Sequence, residues 1–188
     1  MIGEMSIQPM MFQDLDELVA LHAQYLNYGS GIYHHFQQVL SDPDTVAVKC
    51  VHNGRIIGLD IYTRGVALSG GHAELCAEIR GIAADEVVYT GDALLVVPEF
   101  RRQGLDRAML NACREQLRER CAIYVLYELW VHPDGSIPAH HTVEHYEQKI
   151  DLGLHPNFYV DFDHYGYFCP ICGGKCKCSA QLYLCRVA

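Results

Sequence analysis

The spacing of apolar positions along the chain changes several times, and each change marks an element. Ser6 to Met10 reads as a short strand. Asp14, with Glu17 three residues on as in a capping box, precedes Leu15, Leu18, Val19, His22, Tyr25 and Leu26 at helical spacing, which predicts an amphipathic helix over 14–27. Tyr28-Gly29-Ser30-Gly31 ends it, and Ile32 to Leu40 forms a second, shorter helix closed by Asp42-Pro43. Thr45–Val51 and Arg55–Thr63 are strand-like. Asn53-Gly54 between them supplies the two positive-φ residues of a type I′ hairpin turn. From Gly65 to Glu86 no period persists, so this stretch reads as an irregular connection with a short helix near 72–80. Val87–Val97 contains the most apolar strand of the chain. Gly104 then opens a helix whose inward stripe is Leu105, Ala108, Met109, Ala112, Cys113 and Leu117. Ala122–Val131 is a second long strand, and Val143, Tyr146 and Ile150 suit one face of a short helix. Asn157–Tyr165 and Gln181–Val187 alternate as the strands of a final hairpin, with a cysteine-rich loop over 169–178 between them.

The resulting order is β-α-α-β-β-connection-β-α-β-α-β-β. A strand–helix–strand unit in the middle implies a right-handed crossover and parallel pairing, whereas the flanking hairpins pair antiparallel. The expected architecture is α/β: a mixed, mostly antiparallel sheet with helices on both faces, in one domain over 1–188. At 188 residues, half of them apolar, the chain can bury a sizeable core without staples. Its net charge of −9 disfavours nucleic acid as a partner and is compatible with a cationic substrate. No apolar run approaches the ~18 residues of a spanning helix. Met1 to Met5 lacks the basic and apolar regions of a signal peptide, so a cytoplasmic protein away from membranes is expected. Oligomeric state is open, a homodimer included.

The segment Val96 to Leu110 carries the clearest chemistry. A buried strand ends, a polar turn with a glycine follows, and a helix begins, which aims unpaired N–H groups and the positive helix end at one spot. Gly104 permits close approach to the main chain, and Arg101, Arg102 and Arg107 add positive charge to an acidic protein. The arrangement suits a diphosphate; an ordinary strand-to-helix turn with surface arginines reads equally well from these residues alone.

Here the sequence resembles the GNAT superfamily of acetyl-CoA-dependent acyltransferases. The resemblance rests on the strand ending in Val97-Pro98-Glu99-Phe100, then Arg101-x-x-Gly104 and an amphipathic helix, and it extends over about residues 5–187. It implies that acetyl-CoA is held by Leu95, Val96, Val97, Arg101, Arg102, Gln103, Gly104, Leu105, Asp106 and Arg107, with an amine on a small molecule or peptide as acceptor. The family has Gly or Ala where this chain has Asp106. A carboxylate there is expected to crowd a diphosphate, or to cap the helix itself. Acyl transfer to an amine requires a base for the amine proton and a proton donor for the leaving thiolate. Glu128, in the strand after the cofactor helix, resembles the acidic strand residue of many members and is the candidate base, with Asp92 and Glu99 as competitors. Tyr146, in His145-Tyr146-Glu147, resembles the tyrosine that serves as acid, although core packing would also explain it. Tyr25, Tyr28, Tyr33 and Phe36 are candidates for lining the acceptor groove.

Cys169-Pro-x-Cys172-Gly followed by Cys176-x-Cys178 begins as a metal knuckle, two thiolates and nearby amides aimed at one ion, typically zinc. Four ligands within ten residues make a tight loop, so His164 or a histidine of the 132–141 region is an alternative fourth ligand. A loop of free thiols is the plain alternative. The remaining five cysteines read as small buried hydrophobes. Two functions from different classes follow: an N-acetyltransferase, or a non-catalytic module of the same fold that uses its zinc-stapled loop for protein contacts.

Overall fold

A computed structural model of the chain describes residues 5–26, 29, 31–84, 86–160 and 168–187. The strands are β1 Met5–Pro9, β2 Val46–His52, β3 Arg55–Arg64, β4 Val88–Val96, β5 Tyr124–Val131, β6 Lys149–His155 and β7 Ser179–Arg186. The helices are α1 Leu15–Tyr25, α2 Ile32–Ser41, α3 Ala73–Ala83, α4 Leu105–Glu119 and the single turn α5 His141–Glu144. The strands form one sheet in the order β1-β2-β3-β4-β5-β7-β6, in which β4 and β5 pair parallel and every other pair is antiparallel. The expected mixed sheet is present, and the connection 65–86 carries α3.

Local chemistry accounts for the joints. Asn53 and Gly54 have φ of 51° and 76°, the double left-handed conformation that a tight hairpin between β2 and β3 needs. Helix α4 crosses β2 and β3, and it can lie close because Gly58 has no side chain: a Cβ there would stand 3.0 Å from the Leu95 carbonyl oxygen and 3.1 Å from Met109 Cε. One face of the sheet packs with α1, α2 and α4 around Leu18, Phe36, Leu59, Ile61, Met109 and Leu117, all fully buried. The other packs with α3 around Ile79, Leu126, Leu182 and Leu184. Each such side chain contributes roughly 1.5–3 kcal/mol by leaving water.

Three expectations need correction. Asp14 and Glu17 do not form a capping box: Asp14 accepts the Met11 N–H (2.7 Å) and the Lys49 ammonium (2.5 Å), and Glu17 accepts the Ile56 N–H (2.7 Å). The helix expected through Tyr146 and Ile150 is only α5; β6 begins at Lys149, and Ile150 is 42% exposed on this edge strand. The partner of β7 in the final hairpin is therefore β6 rather than 157–165. Residues 157–160 form turns with Phe158 and Tyr159 packed inward, and 161–167 lie outside the described residues. The cysteine loop does lie between the two hairpin strands. No helix among the described residues is long and apolar enough to cross a membrane.

Candidate active site

The parallel ladder between β4 and β5 begins at Val88↔Tyr124 and stops at Gly91↔Tyr127. Beyond it β4 continues against β3 and β5 against β7, so the two strands part. Asp92 is the extra residue of a bulge, since Ile61 faces Ala93 while Tyr62 faces Gly91. The gap is an open cleft of about 250 Å³. Its wall includes Asp60, Tyr62, Asp92, Tyr127 and Glu128, and none of the described lining residues is Lys or Arg.

The turn 101–104, expected to take the cofactor, is exposed. Gly104 has φ of 78°, and nothing lies within 4 Å of where a Cβ would stand, so the main chain is open there. No side chain caps α4. Asp106, expected to cap the helix or crowd the diphosphate, reaches His141 Nε2 at 2.5 Å and ties α4 to α5. The first-turn amides of α4 thus remain without a side-chain acceptor, and the first intrahelical bond runs from Ala108 N–H to the Gly104 carbonyl. These donors, the helix end, the glycine and the neighbouring arginines fit a diphosphate. Leu95 and Val97 are buried at the end of β4, and Val96 accepts a bond from Arg101 Nε at 2.8 Å.

A chain of hydroxyls runs along the cleft wall. Tyr62 donates to the Asp60 carboxyl at 3.3 Å, the Tyr62 and Tyr127 hydroxyls are 3.1 Å apart, and Tyr127 and Tyr146 are 2.7 Å apart. Tyr146 is 3% exposed, stands one hydroxyl behind the cleft surface and carries the Arg114 guanidinium 4.6 Å over its ring. Burial raises its phenol to about 12, against the opposing bond from Tyr127. Burial also pushes Asp60 up to about 8.

Glu128 lines the cleft, accepts the Ser69 N–H at 2.8 Å and is hydrogen-bonded by Tyr159. Burial raises its carboxyl above the ordinary value although these donors oppose the shift. Asp92 also faces the cleft and pairs with His35 Nε2 at 2.8 Å; that bond raises the imidazole despite burial. Glu99 is exposed in the β4–α4 turn, away from the cleft lining. Of the expected aromatic acceptor residues, Phe36 is in the core, Tyr33 is 46% exposed, Tyr25 packs against the core and Tyr28 lies outside the described residues. His22 and Leu26 face the cleft from that region instead.

The four cysteines converge: the Sγ atoms of Cys169, Cys172, Cys176 and Cys178 all lie within 4.8 Å of one another. Tetrahedral thiolates about 2.3 Å from a zinc ion stand about 3.8 Å apart, so the set fits that ion with little adjustment. Backbone N–H groups of Cys172, Lys177 and Cys178 point at the sulfurs of Cys169, Cys172 and Cys176 at 3.4, 3.3 and 3.5 Å, the donors a thiolate favours. His132, an alternative ligand from the sequence, bonds Ser136 instead, and His164 lies outside the described residues.

Sequence reasoning missed Asp60, Tyr62, Tyr127, His35, Ser69 and Tyr159. The one available signal was Asp60, a carboxylate set in the apolar run Ile56–Tyr62.

This fold, a mixed sheet parted at one parallel pair above an uncapped helix end, is that of an acyltransferase domain. Residues 12–146 match the acetyltransferase (GNAT) family, and the chain belongs to it. Arabidopsis thaliana NAA60 in complex with acetyl-CoA superposes with a TM-score of 0.70 at 16% identity, over 97% of this chain and 98% of that one. The same protein with a bisubstrate analogue gives 0.69 at 18% identity and the same coverage. The ribosomal-protein-S18-alanine N-acetyltransferase from Escherichia coli gives 0.61 at 15% identity, over 98% and 95%. No curated protein sequence matches the chain.

Proposed function

We propose that this chain transfers an acetyl group from acetyl-CoA to a primary amine on a small molecule or peptide. The reading is carried by the parting of β4 and β5 beside a cleft whose charged lining is acidic, taken with the uncapped end of α4 and the arginines in the segment that follows β4. Leu95, Val96, Val97 and the turn from Arg101 to Arg107 hold the cofactor, which supplies an activated acetyl thioester. Asp92 and Glu128 favour a cationic acceptor.

A lysine-like amine is neutral in only about one molecule in a few thousand at pH 7, so the acceptor must be deprotonated in place. The Glu128 carboxylate, held by Ser69 and Tyr159, takes that proton. Tyr146 Oη holds the proton for the departing thiolate and passes it through the Tyr127 hydroxyl, 2.7 Å away at the cleft surface, which gives its own proton to the sulfur and takes that of Tyr146. The four cysteines hold one structural zinc, with no position left for substrate.

Thiol release from acetyl-CoA, measured over polyamines, amino sugars and peptides with free amino termini, tests the reading. Wild-type protein is expected to turn over at least one class. The base must be ionised to act and burial raises its carboxyl, so kcat/KM climbs with pH through a limb above the ordinary carboxylate range near ~4.3. Glu128→Gln should lower kcat/KM by about 10²-fold or more and erase that limb. A full-rate Gln variant with the limb intact overturns the assignment of the base.

A further inference from the structure

The cysteine cluster is part of the cleft. Cys169, Cys176 and Phe168 belong to its lining, and the cluster packs on Trp130 and Tyr159, which line it too. Within 168–178 an isolated bridge between Cys169 and Gly174, turn bonds and the convergence of four sulfurs shape the loop. Fixing the sulfurs therefore fixes part of this wall.

A covalent and hydrogen-bonded path leads from the sulfurs to the candidate base. The Cys178 carbonyl accepts the Phe158 N–H at 3.1 Å, which pins the chain next to Tyr159. Phe158 is clamped from the far side by His72, whose ring stacks on it at 3.9 Å and whose Nε2 meets its carbonyl at 3.0 Å. Tyr159 is thus held between the cysteine loop and the start of α3, and its hydroxyl bonds Glu128. Glu128 in turn holds the Ser69 N–H at 2.8 Å, and Ser69 also lines the cleft.

We propose that a zinc ion on Cys169, Cys172, Cys176 and Cys178 builds the acceptor wall of the cleft and, through Tyr159, fixes the Glu128 carboxylate, so that the acceptor site is complete only in the metal-loaded protein. The inference rests on the functional reading given above, and it makes Tyr159 a positioning residue. Soft thiolates in a tetrahedral set select zinc over hard cations. Because the metal supplies folding energy for its own loop, its removal loosens that loop and what leans on it. The diphosphate turn at Arg101–Arg107 lies outside this path.

The test is amide hydrogen exchange on the full chain, purified without added zinc, then stripped with a chelator and reloaded with Zn²⁺. Elemental analysis should find about one zinc per chain before stripping. Stripping should speed exchange about tenfold or more, both in 157–160 and 168–178 and in the segment around Ser69, whose N–H is bonded by Glu128 and by none of the four clustered cysteines. The turn 97–107 should change less than about twofold, and Zn²⁺ should restore the rest. Cys172→Ser alters a ligand outside the cleft lining and should reproduce the stripped pattern; Cys172→His, which keeps a ligand atom, should restore metal and protection. Tyr159→Phe should keep the zinc and still speed exchange at Ser69. Faster exchange confined to 157–178 would reduce the metal to a local staple and overturn the proposal. So would a metal-free wild type with full protection at Ser69. Calorimetry with acetyl-CoA on both forms keeps the two readings apart: equal binding is expected, and no binding by either form counts against the transferase reading while the exchange result stands.

Discussion

Asp60 sits 2% exposed among the most apolar residues of β3, and its environment sets a measurable pH dependence. Burial raises its carboxyl to about 8 in the folded protein. Between the ordinary value near ~3.9 and that point the native state keeps a proton that the unfolded chain releases, so stability falls as pH rises across the window and levels off above it. Asp60→Asn is neutral throughout. The Tm of this variant relative to wild type is therefore expected to climb by several degrees between about pH 5 and about pH 8.5. A constant difference would mean that Asp60 stays ionised in the fold. The hydroxyl chain from Asp60 gives a second test. Tyr146→Phe keeps the ring under Arg114 and removes the bond to Tyr127. It should lower kcat by about 10²-fold with acetyl-CoA affinity near wild type. If Tyr127→Phe is slow and Tyr146→Phe is not, the acid is the hydroxyl at the cleft surface.

Among the elements, the contact of α4 with the sheet is the most exacting. Gly58→Ala would drive a methyl group to 3.0 Å from the Leu95 carbonyl, a backbone atom that cannot step aside. Thermal unfolding should show a loss of about 1–3 kcal/mol, more than the ~0.4–1 kcal/mol that removing a glycine returns through the unfolded state. An unchanged Tm would show that α4 rides further from β3. Asp106 belongs to this scale as well: its carboxylate pairs with His141 and caps no amide of α4. Asp106→Ala should leave the acetyl-CoA Kd within about threefold, where a carboxylate facing a diphosphate would cost more. Most elements were legible because their periods were clean: the hairpin at Asn53-Gly54, β4, α4 and β5 follow from local pattern. The C-terminal part misled for a physical reason. β6 is an edge strand with its first three residues exposed, so its apolar Ile150 marks no buried face, while Phe158 and Tyr159 face inward from turns and mimic a strand.

On the scale of the whole molecule, the proposed cofactor half could be framed from the sequence and the proposed acceptor half could not. The turn before α4 is contiguous in sequence, and its chemistry is set by neighbours. The cleft is assembled from residues far apart, as in Tyr62 with Tyr127, Ser69 with Glu128, and Asp92 with His35, and only the sheet order brings them together. The same holds for the cysteine loop, whose knuckle is local but whose place against the cleft is not. The central claim is that the parted strands and the uncapped end of α4 form a working cofactor site in spite of Asp106. Titration calorimetry of the zinc-loaded protein with acetyl-CoA measures it directly. The expected result is one site per chain with a Kd in the micromolar range, about −8 kcal/mol, weakened at least tenfold by Gly104→Asp. Absence of heat up to millimolar acetyl-CoA from a folded, zinc-loaded protein would contradict the claim and make the chain a non-catalytic member of its family.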